Sequence, residues 1–254
     1  MYKPLLKTRF IGKNIQYVTT CHSTNDIAAY KVRSGSAIHG EIVIAGEQTA
    51  GRGQRGRNWL ADKDQNFTFS IILFPSELEV KNQFYLAQVV ALGVRKYVAD
   101  RVSKPVYIKW PNDIFIGPNK TAGILIENTL RGHRIQSSVV GIGLNVNQQR
   151  FDTERTTSLA LELGNTLQLG EELEKLQLCL EMYYSLLEQG DYRQLKELYL
   201  NEALGVGEER RFLTSIGPLT GKITDVTPEG KLVLSKGGET FAFGAQEISW
   251  IWED

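Results

Sequence analysis

The chain has 254 residues, is 42% hydrophobic and 23% charged, and carries 29 basic against 29 acidic residues, for a formal net charge of zero. That length suits one large domain, or one domain with a small appendage, and the neutral balance excludes a polyanion binder acting through bulk charge. MYKPLLKTRF has no apolar leader and no run nears the roughly 18 apolar residues of a membrane span, so a cytoplasmic protein without membrane contact is expected.

Asn14–Thr19 reads as a short strand, and Ser23-Thr24-Asn25-Asp26 offers caps to a helix ending near Gly35. Glu41–Gln48 is a β-rich run that leads into the glycine-rich stretch Gly51–Trp59, and Asn66–Phe74 is a further strand closed by Pro75. Leu86, Val90, Val94 and Tyr97 recur at helical spacing, which predicts an amphipathic helix over about Asn82–Arg101. The β-rich stretches VYIKW, GILIEN and IQSSVVGIGLNV follow, then acid-rich helices around Glu171–Glu188 and Asp191–Ala203. In the first of these, Leu173, Leu176, Leu180 and Leu187 line one face. From Gly207 the chain becomes short β-type runs broken by Gly and Pro, the pattern of a small barrel or sandwich. Cys21 and Cys179 lack CxxC spacing and read as free thiols. His22, His39 and His133 lack metal-ligand spacing, so a transition metal is not expected, while a Mg²⁺ delivered by a nucleotide stays open.

Gly51 to Gly56 matches G-x-G-x-x-G, but a dinucleotide fingerprint needs a helix next, whose N-terminus receives the pyrophosphate. Here a polar turn and a strand follow Trp59, and no Gly-Lys-Ser/Thr is present for a Walker A loop. What remains is a flexible loop bearing Arg52, Arg55 and Arg57, suited to wrapping phosphate or carboxylate oxygens, or else a solvated basic hairpin. A second constellation favours the ligand. Lys109-Trp110-Pro111-Asn112-Asp113 ends one β-run and Lys120-Thr121-Ala122-Gly123 begins the next. Two lysines, an aspartate and an arginine loop suit phosphoryl transfer, where catalysis is largely positioning and charge stabilisation.

These residues carry a resemblance. Ser23-Thr24-Asn25, Glu47–Gly53, Trp59, Lys109–Asp113, Lys120–Gly123 and Gly141-Ile142-Gly143-Leu144-Asn145 stand in the order found in biotin protein ligases (biotin–[acetyl-CoA-carboxylase] ligases), over roughly Gln16 to Asn147. The resemblance implies a mixed α/β (α+β) fold. A mostly antiparallel sheet with packed helices would form a class II synthetase-like catalytic domain over 1–206, followed by a C-terminal SH3-like β-barrel over 207–254. It also implies a two-step reaction. The carboxylate of biotin attacks the α-phosphate of MgATP to give biotinyl-5′-AMP and pyrophosphate, and a lysine of a biotin carboxyl carrier protein then displaces AMP.

Within the resemblance, Lys120, Arg52, Lys109 and Asp113 are the catalytic positions, with Lys120 meeting the biotin carboxylate. Ser23, Thr24, Asn25 and Gln48 provide neutral hydrogen-bonding groups for the ureido ring, and such a site rejects acids that lack one. Gly51, Gly123, Gly141 and Gly143 permit close backbone approach to biotin, whose binding set also includes Arg52 and Lys120. ATP falls to Arg52, Arg55, Gly56, Arg57, Trp59, Lys109, Asn112 and Asn145, with Trp59 stacking on adenine as the loop closes against water. Asp113 either holds Mg²⁺ or accepts the proton of the incoming lysine.

Two departures stand out. Gln54 replaces the arginine of many members, which implies looser retention of the adenylate. The first motif begins at Ser23, so a short form without the DNA-binding domain of regulatory members, and without nucleic acid as a partner, is expected. Many relatives dimerise through a sheet, so a homodimer is open to this chain, although the sequence itself is silent on oligomeric state. Lys222 and Glu247 in the tail are either surface charge or contributors to ATP or carrier binding. The rival readings are a lipoate or octanoate ligase or transferase of the same fold, whose Arg-Arg-x-x-Gly-Gly-Gly run is not found, and a non-catalytic nucleic-acid-binding module.

Overall fold

The structure, a computed structural model, describes residues 2–4 and 7–252, with every side chain among them except that of Arg55. Strand β1 (Ile15–Cys21) passes through helix α1 (Thr24–Arg33) to β2 (Ile42–Gln48). The two strands pair in parallel, so α1 is a crossover lying on one face of the sheet. After the glycine loop come β3 (Phe67–Leu73), α2 (Phe84–Ala99), β4 (Val106–Lys109), β5 (Asp113–Ile116), β6 (Asn119–Arg131) and β7 (Arg134–Leu144). The sheet order is β1-β2-β3-β7-β6-β5-β4, antiparallel beyond the first pair. Pattern reading leaves Asp113–Ile116 between two β-runs. It is a strand because Ile114 and Ile116 are buried while Asp113 pairs across to Gly123, a run too short to show alternation.

Helices α3 (Leu159–Leu163), α4 (Leu169–Glu188) and α5 (Tyr192–Glu202) complete this unit. Alternate sheet residues divide between the two faces. Ile42, Ile44, Phe69, Ile71, Val140 and Ile142 share the main core with α2 and α4, whereas Val43, Ile72 and Val139 meet Ala28 of α1. Helix α2 is apolar nearly all round because it is a middle layer between strands and α4. A Cβ at Gly93 would stand 2.9 Å from the Leu180 Cα, so glycine is what lets α2 and α4 close together. Leu173, Leu176, Leu180, Tyr184 and Leu187 form the buried stripe of α4.

The tail is a second, five-stranded antiparallel sheet consistent with an SH3-like barrel. Its strands are β8 (Glu209–Thr214), β9 (Gly217–Val226), β10 (Leu232–Lys236), β11 (Glu239–Phe243) and β12 (Ile248–Trp250), ordered β11-β10-β9-β8-β12. Phe212, Ile223, Leu232, Leu234 and Ile248 fill it and join the main core. It is tied on by Trp110 Nε1, which donates to the Gly230 carbonyl at 3.1 Å, and by an ion pair of Lys196 with Asp225 at 2.6 Å.

The face of the sheet that carries α1 is where a cleft forms. Residues opposite one another in register point the same way. Across β3, β7 and β6 they give the rows Thr68, Gly143, Gly123, then Ser70, Gly141, Leu125, then Ile72, Val139, Glu127. The first two rows contribute mostly small side chains, so the sheet floor lies open beside the N-terminus of α1.

Candidate active site

The cleft is walled by Ser23, Thr24 and Asn25 at the start of α1, by Gln48, by the loop through Trp59, by Lys109–Asp113 and by Lys120. Its floor includes Gly123, Gly141 and Gly143, and Ile248, Ser249 and Trp250 of β12 close the far side. Residues spread over most of the sequence-derived motifs thus meet in one cavity. The tail's contribution to the cleft lining does not include Lys222, which is exposed, or Glu247, whose carboxylate accepts the Gly244 N–H at 2.6 Å. It comes from β12 next door, where alternation through ISWIW was the available signal.

The polar wall is held from behind. Gln48 Oε1 accepts the Thr24 backbone N–H at 2.7 Å, and the buried Thr24, Asn25 and Ser70 are hydrogen-bonded to one another. A Cβ at Gly141 would meet Asn25 Oδ1 at 2.5 Å, so the room over this glycine goes to Asn25. The room over Gly123 and Gly143 goes to Trp59. Its Cζ3 would stand 3.2 Å from a Cβ at 123, and its Cε2 2.2 Å from one at 143.

The glycine loop is a tight hairpin. Trp59 N–H donates to the Gly51 carbonyl at 2.9 Å, Arg52 pairs with Asn58, and a single 3₁₀ turn spans Gln54–Gly56. No helix follows, as the dinucleotide fingerprint would require. Arg52 Nη1 donates to Asp26 Oδ1 at 2.7 Å and Nη2 reaches Glu127 at 3.4 Å, so this guanidinium lies across the rim between two carboxylates. Burial works against its charge, but the bond to Asp26 and the fields of Glu127 and Asp26 raise its pKa above the usual arginine value. Gln54 and Arg57 line the cleft, Gly51 and Gly56 do not, and the Arg55 side chain lies outside the described residues.

Lys120 sits where β6 leaves its hairpin. Its backbone is pinned on the outer side, its N–H donating to the Arg155 carbonyl at 2.7 Å and its carbonyl accepting the Thr157 N–H at 2.9 Å. Its Nζ lies 2.6 Å from Asp113 Oδ1 and 5.8 Å from the centre of the Trp59 ring. Asn112 fixes the turn before Asp113 by donating to the Ile124 carbonyl at 2.6 Å. Lys109 Nζ stands over the rings of Trp250 and Phe115, at 5.7 and 6.0 Å. Asn145 is placed elsewhere. It is buried outside the cleft lining and donates to the Thr157 carbonyl at 3.0 Å, which braces the segment that pins Lys120.

Among the described residues no three His, Cys, Asp or Glu side chains are grouped to hold a metal. Among the described residues Asp113 is the one carboxylate lining the cleft, and it is engaged by Lys120. The donor set therefore does not make a resident metal centre, although it fits an ion that brings its own ligands from a nucleotide.

What the arrangement can do follows from charge and shape. A carboxylic acid with a polar, hydrogen-bonding head would lie between the neutral wall and Lys120, with lysines and arginines beyond it for phosphate. Sequence reasoning missed Ser70, Asp26 and Glu127 as parts of this machinery. Glu127 was legible as the charged residue two places from Leu125 and four from Gly123, on the glycine face of β6.

Comparisons with known proteins agree. The model of the biotin/lipoate A/B protein ligase family matches residues 17–145. The chain is 32% identical over 234 residues to the bifunctional ligase/repressor BirA of Bacillus subtilis, covering 90% of this chain and 71% of that one. It is 28% identical over 253 residues to the biotin–[acetyl-CoA-carboxylase] ligase of Mycobacterium tuberculosis, covering 96% and 93%. Its fold matches that of the biotin protein ligase from Aquifex aeolicus in complex with biotin and ATP, with a TM-score of 0.78, 28% identity and coverage of 93% and 98%. With a family model matching half of its length and relatives aligned over most of the remainder, the chain belongs to the biotin/lipoate A/B protein ligase family.

Proposed function

We infer that this protein is an ATP-dependent ligase that activates biotin as biotinyl-5′-AMP and transfers the biotinyl group to a lysine of a carboxylase carrier protein. The observation that carries the reading is the position of Lys120. Its ammonium, held by Asp113, lines one cleft together with the neutral hydrogen-bonding groups Ser23, Thr24, Asn25 and Gln48 and the cationic side chains of Lys109, Arg52 and Arg57. The biotin complex of the Aquifex aeolicus relative and the carboxylase named for the Mycobacterium tuberculosis one support it. The neutral wall favours an acid with a ureido head over lipoate or octanoate, because its buried polar atoms would be stranded against a hydrocarbon.

In the first step a biotin carboxylate oxygen bonds to the α-phosphorus of ATP as pyrophosphate leaves. Two anions must meet, and Lys120 with Lys109 and the loop arginines offsets their repulsion without reacting. For Arg52 this requires release from Asp26 and Glu127. In the second step the carrier's lysine nitrogen bonds to the acyl carbon, AMP leaves, and a proton is lost from nitrogen. Mg²⁺ would enter with ATP and screen the phosphate charge, with Asp113 placed either to ligate it or to accept the proton of the incoming lysine.

The catalytic unit would span 1–206 and the appended barrel 207–254. Free cysteines fit a reducing cytoplasm, and no described helix is long and apolar enough to cross a membrane. The free edge of β1 offers a surface for a homodimer, and zero net charge gives no support to a nucleic-acid partner. The deciding experiment is ATP–pyrophosphate exchange with biotin, lipoate, octanoate or no acid. Exchange with biotin alone is expected, and exchange with none, at adequate Mg²⁺, would remove the reading.

A further inference from the structure

Behind the neutral wall the side chains form one directed chain of hydrogen bonds that ends on a carboxylate. Thr24 Oγ1 lies 2.7 Å from Ser70 Oγ and 3.1 Å from Gln48 Oε1. Ser70 Oγ donates to Asn25 Oδ1 at 2.6 Å, and Asn25 Nδ2 donates to Glu127 Oε2 at 2.6 Å. Arg52 of the loop reaches the same carboxylate at 3.4 and 3.5 Å. Thr24, Asn25 and Ser70 are all buried.

The direction of the chain follows from what each group can do. A carboxylate only accepts, so Asn25 must turn its NH₂ toward Glu127 and its oxygen toward Ser70. The opposite amide orientation would set an oxygen against the carboxylate. Ser70 has one proton, which goes to Asn25, so Ser70 accepts from Thr24. The single proton of Thr24 therefore stays inside the wall, on Ser70. Toward the cleft Thr24 offers only lone pairs. Gln48, with its oxygen held by the Thr24 N–H, offers its NH₂. An acceptor beside a donor is the complement of a ureido, which has N–H beside C=O.

We propose that Glu127 is a positioning residue of this ligase: it fixes the donor and acceptor polarity of the wall that recognises the ureido ring, and it tethers the same wall to the loop through Arg52. Glu127 is not part of the cleft lining and acts through Asn25 and Ser70. The inference rests on the biotin reading above and deepens it. It also accounts for Gly141, since any side chain there would displace the amide that carries the polarity.

The test compares biotin with 2-iminobiotin, in which an N–H group replaces the ureido oxygen, using ATP–pyrophosphate exchange by the full chain. Wild-type exchange with biotin comes first, and its absence would overturn the ligase reading and this inference with it. Glu127→Gln keeps size but can donate as well as accept, so the wall loses its fixed polarity. The expected result is a rise in KM for biotin of about tenfold, a KM for ATP within about twofold, and a loss of about tenfold in discrimination against 2-iminobiotin. Glu127→Asp, which retains the charge, should restore part of the discrimination. Asp26→Asn removes the other anchor of Arg52 without touching the relay and should leave the ratio unchanged. Ser70→Ala breaks the chain in its middle and gives the same loss of discrimination should Glu127→Gln fail to fold. A merely structural role would lower thermal stability and turnover with both acids alike. A wild-type ratio in folded Glu127→Gln, or in Ser70→Ala where only that variant folds, overturns the proposal while leaving the ligase reading intact.

Discussion

The Asp113 carboxylate and the Lys120 ammonium lie 2.6 Å apart, although one ends a hairpin turn and the other opens the next strand. The pairing keeps a lysine charge at the centre of the cleft, where biotin and ATP carry only negative charge. Lys120→Ala is expected to lower biotin-dependent exchange by about 10²–10³-fold, the range for losing one positioned donor. Asp113→Asn separates the two roles open to this carboxylate. As a metal ligand it would slow pyrophosphate exchange, whereas as a proton acceptor it would spare exchange and slow transfer to the carrier.

The indole of Trp59 lies over Gly143 with no space for a methyl group between them, a Cβ there meeting Cε2 at 2.2 Å. Gly143→Ala should drive the indole outward at a cost of about 1–3 kcal/mol, the usual range for overpacking. Tryptophan emission would then shift to the red and trypsin would cut the loop faster. Both changes should vanish in a Trp59→Phe background. Unchanged emission in Gly143→Ala would show that the loop does not pack on this glycine.

Trp250 brings the tail into the site, with its ring 5.7 Å from the Lys109 Nζ. A cation over an aromatic face gains about 0.5–2 kcal/mol, so Trp250→Leu should raise the KM for ATP by about 2–30-fold. The KM for biotin should hold, and Trp250→Phe should recover most of the loss because it keeps a π face. Equal effects of Leu and Phe would reduce Trp250 to packing.

Glu172 is buried and accepts from Tyr97 Oη at 2.8 Å, Arg101 Nε at 2.7 Å and Lys175 Nζ at 2.5 Å. Burial alone would push its carboxyl up, but the hydrogen bonds from Lys175, Arg101 and Tyr97 outweigh it and hold the carboxyl below its ordinary range. A folded value below the unfolded one means that the stabilisation is full above the unfolded value and fades as pH falls through the folded one. Glu172→Gln should therefore cost about 1.5–3 kcal/mol at neutral pH. In denaturant melts the gap from wild type should stay flat down to about pH 5 and narrow below about pH 4. A gap that persists at still lower pH would assign the loss to packing.

Much of the molecule is determined by the sequence alone, because the signals involved are local. Alternation and helical spacing place β1, α1, β3, α2, α4 and α5 within a few residues, since each must bury one face whatever surrounds it. The absence of a helix after Trp59 disposes of the dinucleotide reading on the same terms, and the ordered motifs name the family. Short elements such as Asp113–Ile116 stay hidden because four residues carry no period. What only the tertiary structure decided is who meets whom. Register across β3, β7 and β6 puts Ser70, Gly141 and Glu127 on one face, and the return of β12 sets Trp250 against Lys109. It also gives Arg52 to two carboxylates and leaves Asn145 outside the cleft lining, as a brace behind Lys120. The reason is physical: burial patterns are fixed by neighbours along the chain, whereas a hydrogen-bond direction or an ion pair depends on residues far apart in sequence that share no periodic signal.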